Sequence, residues 1–319
     1  MHIYFNRARR TALYPVQRSP PGGRYAALRA QARALREEDM NVALVTDSTS
    51  DIPPELRARI GVRVVPLYVH FQGKTFKDWE EITPADLFKG VAAGADLPTT
   101  SQPSPQDFEV AYAEALEHAD RVLSIHISSK LSGTFQSASI AAEKYGGRVQ
   151  VFDSQAASAG IGMMVLRAHE LLSEGTELEE VVRELERIRD DHIVRFVVAT
   201  LDYLRKNGRI GGAQAFLGNL LNIKPILTVR DGVVDAAGRA RGEKRALKEM
   251  VKTFREWAQG REKVRVFYLY TGAEEAVHAL REEIRSLGGG IEEVYTSEIG
   301  AVIASHTGPG IYGYYAYSL

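Results

Sequence analysis

Three clusters of small polar residues stand where apolar runs stop. They are Asp47-Ser48-Thr49, Thr99-Thr100-Ser101-Gln102-Pro103-Ser104 and Ser128-Ser129-Lys130-Leu131-Ser132-Gly133-Thr134. In open parallel sheets, ligands sit outside the carboxyl ends of strands. The third cluster is the most informative. Small hydroxyl residues and a glycine before a helix let backbone N–H groups reach an anion. The hydroxyls of Ser132 and Thr100 would add donors there, and Lys130 would raise the local potential. Helix capping alone would also account for any one of these residues. The loop is not a P-loop, because the Gly-x-x-x-x-Gly-Lys-Ser/Thr spacing is missing.

His306-Thr307-Gly308-Pro309-Gly310 follows an apolar stretch. Its glycines and proline specify a fixed turn. The histidine leading into it either points at a ligand or is an ordinary turn or core residue. His126 lies within an apolar strand and reads as a core histidine. Ser132, His306 and Asp47 can be written as a hydrolase triad, but no Gly-x-Ser-x-Gly elbow accompanies them. No His-Glu-x-x-His spacing occurs, and the chain has no cysteine. No metal or other cofactor is expected, and thiol chemistry is excluded.

Positioning these clusters requires alternating strands and helices. Strands are expected over Asn41–Val45, Val62–His70, Arg121–Ile127 and Arg148–Phe152. Helices are expected from Ile52-Pro53-Pro54, from Thr83-Pro84, over Pro105–Ala119, over Thr134–Tyr145 and around Met163–Leu172. The alternation argues for a parallel sheet covered on both faces. Glu177–Arg189 is a charged amphipathic helix. Ile193–Ala199 then opens a second region. There Ile226–Arg230, the Asp231-Gly232 turn and Val233–Asp235 read as a hairpin. A strand over Lys263–Tyr270 and a helix over Ala273–Leu287 follow. Tyr295, Val302 and the C-terminal aromatics supply further strand material. The expected fold is therefore α/β with two domains. Residues 40–192 form a three-layer domain on a parallel sheet, and residues 193–319 form a mixed-sheet α/β domain.

A chain of 319 residues is long enough for two domains, and 45% hydrophobic with 25% charged residues is ordinary for a globular protein. No apolar run reaches the roughly 20 residues of a membrane span. The net charge of −1 gives no reason to expect nucleic acid. A chain without cysteine fits a reducing cytoplasm. Residues 1–39 hold eight arginines and three acids, a net of +5, so the remainder carries −1 − 5 = −6. This Arg-rich extension, with Pro15, Pro20, Pro21, Gly22 and Gly23, reads as disordered or not native. It has the composition of a transit peptide, of a basic tail, or of upstream sequence before a start at Met40.

From Met40 onward the chain resembles the DegV family. The resemblance rests on Val45-Thr-Asp-Ser-Thr-Ser-Asp51, Thr100-Ser-Gln-Pro-Ser104, Ser128-Ser-Lys-Leu-Ser-Gly-Thr-Phe-Gln-Ser-Ala138 and Phe152-Asp-Ser154. Leu201-Asp-Tyr-Leu-Arg-Lys-Asn-Gly-Arg-Ile210, Leu221-Asn-Ile-Lys-Pro-Ile-Leu227 and His306-Thr-Gly-Pro-Gly310 complete it. The Arg-rich extension has no counterpart in the family. The resemblance implies a DegV-like fold and a bound long-chain, palmitate-like fatty acid lying between the two domains. It implies a carrier that presents the acyl carboxylate to a separate kinase subunit and performs no catalysis itself. By the same resemblance Thr100, Ser132 and His306 hold the carboxylate, Arg209 lies near the head-group opening, and Arg241 in Arg239-Ala-Arg241 faces the kinase. A fatty-acid carrier or sensor without a kinase is the alternative. A stand-alone kinase or esterase is a third class, opposed by the missing nucleotide signature.

The physics suits such a ligand. Burial contributes about 0.8 kcal/mol per CH₂, whereas a hydrogen bond to a charged head group adds about 1.5–3 kcal/mol. The tail sets affinity and the head site sets orientation. Ile161–Leu172, with pliable Met163 and Met164, and Phe216–Leu227 are the expected tunnel walls.

Overall fold

The computed structural model describes residues 41–217 and 223–319. The Arg-rich extension lies outside the described residues, as do Leu221 and Asn222 of one family stretch. Met40–Leu319 gathers into one compact unit.

Strand β1 (Val42–Asp47) ends in the first polar cluster, where Ser48–Ser50 make one 3₁₀ turn before α1 (Pro54–Ile60). The single strand expected over Val62–His70 is two strands, β2 (Arg63–Val65) and β3 (Tyr68–Phe71). Pro66 between them has no N–H for a ladder, and the two pieces enter different sheets. Next come β4 (Lys74–Lys77), α2 (Pro84–Ala92), β5 (Thr99–Ser101) and α3 (Pro105–Ala115). Both helices start with proline behind a capping box, Thr83 with Asp86 and Ser104 with Asp107. Then follow β6 (Arg121–His126), α4 (Thr134–Ala142), β7 (Val149–Asp153), α5 (Ala159–Ser173) and α6 (Leu178–Asp191). The remainder is β8 (Ile193–Val197), α7 (Asp202–Lys206), β9 (Ile223–Arg230), β10 (Val233–Arg241), α8 (Glu243–Ala258), β11 (Val264–Thr271), α9 (Glu274–Arg285), β12 (Ile291–Glu298), α10 (Ala301–Thr307) and β13 (Ile311–Ser318).

The architecture is mixed α/β. A parallel sheet has the order β2-β1-β6-β7, and a separate mixed sheet has the order β10-β9-β8-β13-β11-β12. A small antiparallel sheet, β4-β3-β5, carries Thr100 opposite Val69. The β9–β10 hairpin turns on Asp231 (φ 49°) and Gly232 (φ 77°), two left-handed residues that match the twist of the flanking strands. Strand alternation divides the six-stranded sheet into two faces. Val197, Val266, Tyr268 and Tyr314 pack with Met250 and Phe254 of α8 and Leu280 of α9. Val194, Phe196, Phe267 and Leu269 share a core with α5 and the parallel sheet.

Helix α5 thus lies between two sheets, and its first half, Ala159–Leu166, is apolar and buried on every side. Its Met163 and Met164 are fully buried in the shared core. Val302, expected as strand material, belongs to α10 instead. No helix among the described residues is long and apolar enough to cross a membrane.

Candidate functional site

A cavity of ≈ 300 Å³ opens between the carboxyl ends of the parallel strands and the inner face of the six-stranded sheet. That volume is at the small end of ligand sites, which run from about 300 to 1,000 Å³. Phe196, Val229, Val234, Leu269, Ile311 and Tyr315 of the large sheet supply much of its wall. Residues Ile161–Leu172 do not line it, because α5 is consumed by the core between the sheets. Of the second expected wall, Phe216–Leu227, residues 218–222 lie outside the described residues. The hairpin positions just beyond that segment, Val229 and Val234, are the ones that line the cavity.

The polar end brings together residues far apart in the chain. Thr100 Oγ1 and His306 Nε2 are 2.8 Å apart across 206 positions. Ser132 lines the same cavity, and its Oγ is 2.8 Å from Thr134 Oγ1 and accepts from the Thr134 N–H at 3.3 Å. Gln102 also lines it and donates to Ser137 Oγ at 2.9 Å. Among the described lining residues Arg209 alone carries a formal charge. It is exposed, and its guanidinium donates to Leu131 O (3.0 Å) and Asn207 O (2.7 Å), tying its loop to the Ser132 loop. Arg241 lies exposed on β10 and does not line the cavity. Sequence reasoning named Thr100, Ser132, His306 and Arg209 for this end. It passed over Ser158, a lining residue at the N-cap of α5 whose side chain makes no capping hydrogen bond and belongs to no recognisable motif.

Local sequence explains how His306 is held. It lies in the last turn of α10, and the chain leaves through Gly308 at φ 74°. A Cβ at Gly308 would stand 2.6 Å from the Tyr203 ring, so only glycine fits. Asn207 Nδ2 donates to Ser305 O at 2.8 Å and fastens the same turn. Burial, reinforced by the Arg209 charge, lowers the His306 pKa from 6.5 to about 4. The ring is neutral at physiological pH, and its Nδ1 is buried without a hydrogen-bond partner among the described residues.

His126 is fully buried, with Nδ1 3.0 Å from Asp47 Oδ2 and Nε2 2.6 Å from Ser124 Oγ. Asp47 therefore partners His126, and Ser132, His306 and Asp47 form no relay. The first polar cluster, Asp47-Ser48-Thr49, lies behind the cavity and does not line it. Nearby, burial pushes Asp51 up to about 8 and Asp78 up to about 6 from 3.8. Charged and titratable neighbours of this pair are Asp47, Arg57, Tyr295 and Tyr315.

A pH effect on stability follows. Both folded carboxyl groups hold their protons above the unfolded value, so their contribution is complete below about pH 4 and is lost as pH rises through 6 and 8. His306 acts in the opposite sense and costs stability as pH falls below 6.5 towards 4. Between pH 6.5 and 8 Asp51 dominates among these three. The melting temperature should fall there, with a limiting slope of about 1.4 kcal/mol per pH unit for one group. Asp51→Asn should flatten the slope in thermal scans at several pH values. An unchanged slope in that variant would remove Asp51 from the account.

The protein has relatives. A family model described as an uncharacterised protein of the DegV family matches residues 41–319. A DegV domain-containing protein of Deinococcus radiodurans is 50% identical over 275 residues, covering 86% of this chain and 97% of its own. A protein of Thermotoga maritima described as a fatty acid-binding protein is 34% identical over 282 residues, covering 86% of this chain and 97% of its own. The solved structure of a DegV family protein from Thermus thermophilus, described for its fatty acid binding, superimposes with a TM-score of 0.86. It is 64% identical and covers 88% of this chain and 100% of its own.

Proposed function

The chain belongs to the DegV family, and from that premise we propose that it binds one long-chain fatty acid and presents the carboxylate to a separate kinase subunit. The observation that carries this reading is the division of the cavity. Its wall on the large sheet is apolar, while its other end gathers Thr100, Ser132 and His306 beside the exposed Arg209. The tail lies along Phe196, Val229 and Leu269, and the carboxylate meets the polar end.

The hydrogen-bond pattern favours one tautomer of His306. With the proton on Nε2, the ring donates to Thr100 Oγ1 and leaves Nδ1 as a bare acceptor. The other tautomer would orphan a buried N–H, the rarer defect. The Thr100 hydroxyl proton is then free for a carboxylate oxygen, and Ser132 supplies a second hydroxyl. These neutral donors stabilise the anion through hydrogen bonds, each worth about 1.5–3 kcal/mol to a charged partner.

Turnover belongs to the partner. The sequence carries no P-loop, and orienting a carboxylate at an open rim suits delivery rather than chemistry. Arg209 at the mouth and Arg241 on β10 supply basic contacts for the kinase. A chain without cysteine fits a cytoplasmic carrier. Stripped of lipid, the protein should take up C14–C18 fatty acids and displace a bound fluorescent fatty acid with them, but ignore nucleotides. Tight binding of ATP and no response to palmitic acid would refute the reading.

A further inference from the structure

The cavity is held from behind by residues that do not line it. Four lining residues donate their fixing hydrogen bonds to one buried cluster. Asp47 accepts from the Ile127 N–H at 3.0 Å, and Ser48 Oγ accepts from the Leu67 N–H at 3.0 Å. Asp78, itself bound by Ser48 Oγ at 2.8 Å, accepts from the Val302 N–H at 3.2 Å. Asp51 accepts from Ser158 Oγ at 2.5 Å on one oxygen. Its other oxygen accepts from the Gly300 N–H at 2.8 Å and from Trp79 Nε1 at 3.3 Å.

Asp51 joins two segments that border the cavity. Gly300 immediately precedes α10, the helix carrying His306. Ser158 immediately precedes α5 and lines the cavity. The backbone marks the same point. Asp51 (φ 48°), Trp79 (φ 67°) and Ser158 (φ 54°) are three of the non-glycine residues at positive φ, and all three share this one hydrogen-bonded knot. Such a conformation is costly and persists only where its surroundings over-determine it. The Gly300 backbone also approaches closely, since a Cβ there would meet Asp78 Oδ1 at 2.9 Å.

We propose that Asp51 is the positioning residue of the head-group site, holding α10 and Ser158 in the one arrangement that sets His306 against Thr100. The proposal rests on the fatty-acid reading for its ligand but not for its geometry. Loss of the Asp51 carboxyl group frees the Gly300 N–H, lets α10 shift, and breaks the Thr100–His306 bond. Asparagine keeps most of the function. It tolerates the left-handed backbone, and its amide oxygen accepts from Gly300 while Ser158 turns to accept from the NH₂.

Two readouts test this. In lipid-free protein, ¹⁵N signals of the His306 ring report its tautomer and hydrogen bond without any ligand. Asp51→Ala should shift them, and Asp51→Asn should restore them. Palmitic acid and 1-hexadecanol then share a tail and differ in head group. Asp51→Ala should lower the preference for acid over alcohol by about tenfold, the effect of one lost charged hydrogen bond. Alcohol affinity should stay within about twofold. If Asp51→Ala does not fold, Ser158→Ala removes one of the three donors and should lower the same ratio by a few-fold. Unchanged ring signals, or equal losses for acid and alcohol, would overturn the proposal. If the unaltered protein bound neither lipid, the fatty-acid reading would fail, and the ring signals would still decide the role of Asp51.

Discussion

Filling the cavity is expected to abolish useful lipid binding. The double substitution Val229→Phe and Val234→Phe should weaken palmitic acid binding at least about 100-fold. Both valines line the cavity from the β9–β10 hairpin. Two phenyl rings there occupy space the tail needs. Displacing four methylenes forfeits about 3 kcal/mol, which is roughly a 100-fold change. The added bulk enters a void rather than a filled core, so overpacking costs little. The lipid-free variant should melt at or above the unaltered protein's temperature. A variant that stays folded and binds palmitic acid normally would show that the tail lies elsewhere.

The second large effect separates binding from phosphorylation. Thr100→Ala, Ser132→Ala and His306→Ala should each weaken lipid affinity by no more than about 1–3 kcal/mol, less where water replaces the lost hydroxyl. The same changes should slow kinase-dependent acyl phosphate formation by on the order of 100-fold, because displacing a reacting group by an ångström has that consequence. Thr100 and His306 hold each other at 2.8 Å, so either loss releases both. Arg209→Ala and Arg241→Glu should spare lipid binding and weaken only the productive encounter with the kinase. The measurement pairs a fluorescence titration with an ATP-dependent assay containing the partner kinase. Equal losses in both assays for all five variants would contradict the division between tail affinity and head-group orientation.

Features governed by neighbouring residues were legible in the sequence. Asp231-Gly232 announced its hairpin because a two-residue turn needs two left-handed positions. Thr83-Pro84 and Ser104-Pro105 announced helix starts because a cap satisfies donors two or three residues away. Features governed by distant partners were not legible. Val62–His70 has the pattern of one strand, and only the sheet assembly shows that Pro66 divides it between two. Residues Ala301–Thr307 are almost wholly buried and show no helical period, so Val302 read as strand. Met163 and Met164 looked suited to a pliable wall, but α5 is enclosed by two sheets.

The site followed the same rule. Its hydroxyls and histidine were found by motif, while Asp47-Ser48-Thr49 was grouped with them as another pocket loop. The partners of this stretch, such as Ile127 for Asp47 and Gly300 for Asp51, lie 80 and 249 positions away. No local pattern encodes contacts of that range. A buried hub and a ligand loop are written in the same small polar residues, and burial alone tells them apart.

The central claim is that one fatty acid occupies this cavity. Native mass spectrometry of protein purified without added lipid tests it most directly, followed by identification of whatever dissociates. The account predicts one bound C14–C18 fatty acid per chain, lost on delipidation, regained with palmitic acid, and absent from the Val229→Phe/Val234→Phe variant. A bound nucleotide or sugar phosphate in its place, or a lipid stoichiometry unchanged by that variant, would contradict it.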